Sequence, residues 1–324
     1  MKEKFLPLLK KINPGLELKI TEIQSPVMDF ETHDNYMVSY SAGARNFRAV
    51  IKQVPKKKRE IINPIRYQIK REAGLLQECS KGKYGFNVPR VLFLDTKGRV
   101  LGRPALVMEC INGKALGPLN LKAGPAKRKK FLLTLVNIMA DIHRADLSRL
   151  GFLDCPDFGL HTISDLERTA RIAAKFSKTR EKKFASRSLE VLKRNIPKRT
   201  DTALLHGDLV PAHILTTPSG KTYVIDWDAA IIGDRSWDVF WMMKGCTKEI
   251  YGADRNVILR LYENLSGRKL LNPDFYEASA LLLNYLYSIY AIKKEPRHPY
   301  MNLVVKSIPI IKNMLDDKLE HFPK

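Results

Sequence analysis

The chain reads as an α+β protein in which a small antiparallel sheet region with one helix is followed by a larger, mainly helical region. Residues 16–55 alternate in three short runs, LELKITEI, NYMVSYSA and FRAVIKQV, the period-two pattern of strands with one buried face. Beyond Lys129 the pattern changes, and Leu132, Leu135, Val136, Met139 and Ile142 recur at the spacing of one helix face. The stretch INGKALGP lies between the two patterns. With 324 residues the chain is long enough for two lobes.

The three alternating runs predict a meander. INPIRYQIKREAGLLQEC follows, with Asn63-Pro64 as a start signal and Ile65, Ile69, Leu75 and Leu76 on one side, which predicts a helix. RVLFLDT and PALVMEC, separated by a turn, predict two further strands. A first lobe over residues 1–109, a hinge over 110–117 and a helical lobe over 118–324 follow from this order. Within the helical lobe, TALLHGD predicts a strand. HILTTPSGKTYVIDWD predicts a hairpin turning at Pro218-Ser219-Gly220.

A hydrophobic content of 44% and a mean hydropathy of -0.25 are those of an ordinary globular chain. The opening MKEKFLPLLKKINPG is charged and carries Pro7 and Pro14, so no signal peptide is expected. The most apolar window, Ala280 to Ile292, is interrupted by Asn284 and Ser288 and is too short to span a membrane, so a buried helix is expected. Cys79, Cys110, Cys155 and Cys246 form no CxxC pair, which argues against a zinc ribbon and suits a reducing cytoplasm.

Charge is the unusual bulk property. Fifty-six Lys and Arg against 34 Asp and Glu give a net charge of +22. Most of it comes from two segments, Arg45 to Glu72 and Arg168 to Arg199. Concentrated basic charge attracts anions such as nucleotides, nucleic acid or acidic membrane surfaces. In the second segment Ile172, Phe176, Leu189 and Leu192 suggest one or two amphipathic helices with a cationic face.

Acidic groups bracket the hairpin, as HGD at 206–208 and DWD at 226–228. Antiparallel pairing sets His213 beside Asp226, and Asp208 lies just upstream. Two carboxylates and an imidazole are thus expected to converge at a strand end, where polar groups can face a cleft.

HGDLVPAHIL followed by VIDWDAAIIGDRSWDVFW resembles the catalytic core of the aminoglycoside/macrolide phosphotransferase family. That family is related to choline, homoserine and fructosamine kinases within the protein-kinase-like superfamily. The resemblance implies a bilobal protein-kinase-like fold and an ATP-dependent phosphotransferase, with GTP as the alternative donor, acting on a hydroxyl of a small molecule. It implies that Asp208 is the catalytic base and that His213 and Asp226 hold magnesium. Asp228 is the second carboxylate of the family's DxD. Gly233, Asp234 and Asp238 match its G-D-x-x-x-D tail, which braces the active-site loop, and His206 holds that loop by hydrogen bonding. AVIK places Lys52 where the family's lysine grips the α- and β-phosphates, with Glu72 suited to pair with it. LVMECINGKAL resembles the hinge, where the backbone of Glu109, Cys110 and Ile111 reaches the adenine.

This sequence departs from the family at two places. His213 stands where most members have Asn, and a nitrogen ligand is expected to weaken one magnesium site or favour manganese. The loop SPVMDFETHDN carries no glycine, and Asp29, Glu31 and Asp34 would repel phosphates unless they point away. Two alternatives keep the fold. One is a kinase acting on an anionic or macromolecular acceptor, a lipid-linked sugar or RNA, with segment 168–199 contacting an anionic partner. The other is an inactive nucleotide-binding scaffold. A cationic acceptor would need acids such as Glu263, Glu277 and Asp228 in its pocket.

Overall fold

The structure is a computed structural model that describes residues 2–25, 34–55, 69–116, 124–244, 251–294 and 301–323. It is a mixed α/β chain that divides into two compact units. The first comprises Met1–Ala115 with His213–Ala229, and the second Leu116–Ala212 with Ala230–Lys324.

The first unit is built on an antiparallel sheet. Its strands are β1 (Leu18–Gln24), β2 (Asp34–Ala42), β3 (Arg45–Gln53), β4 (Val91–Asp95) and β5 (Ala105–Glu109), in the order β1-β2-β3-β5-β4. Alternation along β3 decides which groups face which side. Ala49 and Ile51 are buried in the cluster that contains Phe5, Leu8 and Leu9, so Val50 and Lys52 point to the opposite face. The register sets Lys52 between Asn35 of β2 and Leu106 of β5.

Phe5, Leu8 and Leu9 belong to a helix, α1 (Lys2–Ile12), that the sequence reading did not include. Pro7 sits inside it and costs about 3 kcal/mol of helix stability. Burying three large apolar side chains contributes roughly 5 kcal/mol or more, which outweighs that cost. The first unit therefore has a second helix besides α2 (Ile69–Cys79). Leu75, Leu76 and Cys79 anchor α2 in the interior and leave Glu72 buried in its first turn. The start of this helix as read from Asn63-Pro64 lies outside the described residues.

A three-stranded sheet completes the unit, with β6 (Lys114–Ala115) beside β8 (Ile214–Thr216), itself paired with β9 (Thr222–Val224). The hairpin is as expected, with Gly220 at φ +82° in its turn. It is pinned from outside: Asn87 accepts from Val224 N–H (2.8 Å) and its amide donates to the Thr222 carbonyl (2.8 Å). Trp227 stacks on Phe86 at 5.4 Å.

In the second unit α3 (Pro125–His143) buries the expected face of Leu132, Leu135, Val136, Met139 and Ile142. Segment 168–199 resolves into the end of α4 (Phe158–Ala173) and the whole of α5 (Thr179–Arg194). Strand β7 (Thr202–Leu205) pairs antiparallel with β10 (Ile231–Asp234). Gly233 of β10 lies against the Phe158 ring, where an added Cβ would come within 2.4 Å. There follow α6 (Ser236–Met242), α7 (Arg255–Ser266), α8 (Pro273–Lys294) and α9 (Met301–Glu320). Helix α7 packs on α3, while α8 packs against α4, α5, α6 and α9 and is buried along most of its length, as its apolar window predicts. Among the described residues no helix is long and apolar enough to cross a membrane.

Candidate active site

In the first unit the structure brings four predicted residues together. Lys52 Nζ donates to both oxygens of Glu72 (2.9 and 3.0 Å) and to Asp226 Oδ1 (2.9 Å). His213 Nε2 lies 3.4 Å from Asp226 Oδ2. The hairpin produces that last contact. Ile225 N–H donates to the His213 carbonyl (2.9 Å), which sets the two strand ends side by side. Asp226 then turns at φ +65°, the only non-glycine residue in the left-handed region among those described.

The cluster is strongly coupled. Burial by itself would lower the Lys52 pKa, but Asp226, Glu72 and Asp228 together hold it well above its ordinary value, so the amine stays charged. Burial pushes the Glu72 carboxyl up to about 7 against the pull of Lys52, and the fields of Asp228 and Asp226 add to the rise. Asp228 lies in the short turn Trp227–Ala229 and acts through its field on this pair. Asp34 accepts from Arg103 (2.7 Å), so this acid of the glycine-free loop is already matched by a cation. Asp29 and Glu31 lie outside the described residues.

Glu109 ends β5, and Cys110 and Ile111 follow it. Glu109 N–H donates to the Arg90 carbonyl (2.9 Å), and Gly113 N–H to that of Ile111 (3.0 Å). A cavity of about 490 Å³ in the first unit is lined by Ser39, Arg48 and Cys110 among others. By strand alternation Arg48 is on the Lys52 side of the sheet.

Asp208, with His206, Asp234 and Asp238, belongs to the second unit. The HGD turn leaves β7 with Gly207 at φ +79° and is held from α6. Asp238 Oδ2 accepts from His206 N–H (2.8 Å), and its Oδ1 accepts from Gly207 N–H (2.9 Å). The His206 ring accepts Asp208 N–H at 3.3 Å. Asp234 serves a neighbouring turn, accepting from Ser236 N–H (2.9 Å), Asp201 N–H (3.2 Å) and the Asn272 amide (2.8 Å).

Five residues that the sequence reading did not place there also surround this turn. His143 Nε2 is 3.3 Å from Asp238 Oδ2, and its Nδ1 is 2.7 Å from the Tyr262 hydroxyl, so a buried chain of polar groups backs the turn. Trp241 Nε1 donates to Asp208 Oδ1 at 2.7 Å. Lys244 Nζ lies 3.7 Å from the same oxygen and 3.1 Å from the Trp241 ring centroid. Trp237 stacks on Trp241 at 5.6 Å with the rings 10° from parallel. The sequence signal for Trp241 was its position three residues after Asp238, on the same face of a short helix.

The first unit thus holds a lysine gripping a helix glutamate with an acid beside it, and the second an aspartate on a turn braced by another aspartate. The sequence profile of the phosphotransferase enzyme family matches residues 31–271. The chain belongs to that family. Solved structures share its fold at low identity. A Ralstonia eutropha protein provisionally assigned as an aminoglycoside phosphotransferase matches with a TM-score of 0.73 at 15% identity, over 100% of this chain and 99% of that one. The GDP complex of aminoglycoside 2'-phosphotransferase-IIIa matches at 0.63 and 14%, over 97% and 99%. Macrolide 2'-phosphotransferase type I matches at 0.59 and 15%, over 93% and 95%.

Proposed function

We propose that this phosphotransferase moves the γ-phosphoryl group of ATP, or of GTP, to a hydroxyl of a small molecule. The observation that carries the reading is Lys52, held at 2.9 Å by both Glu72 and Asp226 on the sheet face away from α1. A charged amine so fixed can grip the α- and β-phosphates without first being ordered. The backbone of Glu109, Cys110 and Ile111 would take the adenine, and residues 110–117 would serve as the hinge.

His213 and Asp226 offer a nitrogen and a carboxylate 3.4 Å apart, a donor pair that suits one divalent ion whose remaining ligands come from phosphates and water. Bound there, magnesium or manganese would neutralise charge on the phosphates. Asp208 would orient the acceptor hydroxyl and take its proton as the new O–P bond forms. The bond between the γ-phosphorus and the bridging oxygen breaks, and the nucleoside diphosphate leaves. Glu72 fixes Lys52, while Asp238, His206 and Asp234 keep the turns rigid. Most of the rate gain then comes from positioning and electrostatics.

The test is nucleotide consumption with magnesium or manganese across a panel of hydroxyl compounds, comparing the native chain with Asp208→Asn. Acceptor-dependent release of ADP should fall by about 100-fold or more in the variant while nucleotide affinity holds. Equal turnover in the two would remove Asp208 from the base role, and no acceptor-dependent release from the native chain would leave the scaffold reading.

One observation favours an anionic contact elsewhere on the second unit. Ten of the twelve cations in segment 168–199 are exposed, in and around α4 and α5. Binding to RNA or acidic vesicles that weakens steeply with salt would establish that contact.

A further inference from the structure

We infer that the acceptor carries a negative charge, a carboxylate or a phosphate, close to the hydroxyl that receives the phosphoryl group, and that Lys244 recognises it. The inference rests on Asp208 being the residue that takes the acceptor's proton.

Trp241 and Lys244 address the same oxygen of Asp208. The indole N–H donates to Oδ1 at 2.7 Å, and the ammonium lies 3.7 Å from Oδ1, beyond hydrogen-bond distance. An oxygen that already accepts a strong donor beside a cation is a poor proton acceptor, so proton uptake falls to Oδ2. The lysine has little freedom to leave. Its ammonium rests on the Trp241 ring, which is clamped by Trp237 on a parallel plane and met edge-on by Tyr287. Its side chain is 22% exposed, so its charge is only partly screened by water.

While Asp208 is ionised it balances Lys244. When Asp208 accepts the hydroxyl proton it becomes neutral, and the ammonium is left as a net positive charge beside the reacting oxygen. An acceptor with its own anionic group compensates that charge when it appears, which is the condition for stabilising the transition state rather than the ground state.

A polycationic acceptor meets the opposite situation. It would bring ammonium groups against Lys244 in a chain of net charge +22. Four acids among the described residues of the second unit are already engaged. Glu277 is tied to Arg255 and Lys318, and Glu263 accepts from Leu270 N–H. Asp238 holds the HGD backbone, and Asp201 is paired with Arg235.

The experiment uses matched probes, namely gluconate and glucose 6-phosphate against glucose and kanamycin. Binding is measured by calorimetric titration of the native chain, Lys244→Met and Lys244→Arg, each checked for native circular dichroism. ADP release is followed with the same compounds. The anionic probes should bind at least about tenfold more tightly than glucose, and Lys244→Met should lose that preference while Lys244→Arg keeps it. Failure of both anionic probes to bind at millimolar concentration overturns the inference. So does an anion preference that survives in Lys244→Met. If kanamycin or glucose is the better phosphoryl acceptor, the inference falls and the phosphotransferase reading stands. If the anions bind through Lys244 while no compound of the hydroxyl panel stimulates ADP release, the anion site stands and that reading fails.

Discussion

Lys52 in the first unit is held by ions: two carboxylates close on one amine at 2.9 Å, with a third acid adding its field. In the second unit the turn that carries Asp208 is held through its backbone, with two N–H groups fixed by Asp238, while an indole donates to the Asp208 carboxylate and Lys244 lies 3.7 Å from it. The ionic arrangement can exchange one partner for another, because several charges of opposite sign lie within reach of the same amine. The backbone-held turn has no such alternative, because a buried N–H that loses its acceptor finds no other. The Lys52 cluster is therefore adaptable, and the Asp208 turn is rigid.

Substitutions can break this contrast. Lys52→Met has the largest expected effect. It leaves Glu72 and Asp226 without their cation, and should cost about 3–5 kcal/mol in urea unfolding and abolish nucleotide binding in a titration. An unfolding midpoint within error of native would show that the ionic cluster does not stabilise the first unit. Next comes Asp238→Ala, which orphans the His206 and Gly207 N–H groups. A loss of about 2 kcal/mol is expected, with turnover reduced and nucleotide affinity kept, since Lys52 is untouched. Loss of nucleotide affinity instead would mean that the rigid turn serves the phosphate grip as well. The smallest change is expected from His213→Asn. Activity with magnesium relative to manganese should rise about threefold or more, because an oxygen replaces a nitrogen donor. An unchanged ratio would take His213 out of the ligand set.

Much of this was legible in the sequence where one side-chain period dominates. Strands β1 to β3 and the hairpin declare themselves by alternation and by a glycine turn. The meeting of His213 with Asp226 follows from antiparallel pairing alone. Helix α1 was hidden because Pro7 and Pro14 read as breakers, although Phe5, Leu8, Leu9 and Ile12 carry the spacing of a helix face. Trp241 and Lys244 were hidden for another reason. An indole in an apolar run reads as core and a lysine beyond a helix reads as a solvated charge. Only the tertiary fold brings them to Asp208, more than thirty residues away in sequence.

Helix α1 and strand β1 precede residue 31, where the match to the family begins, and all of α8 and α9 follow residue 271, where it ends. A fragment trimmed to those limits for expression would strip Phe5, Leu8 and Leu9 from one side of the sheet and the whole central helix from the other unit. Such a fragment should aggregate or be degraded, however complete its motifs look on paper.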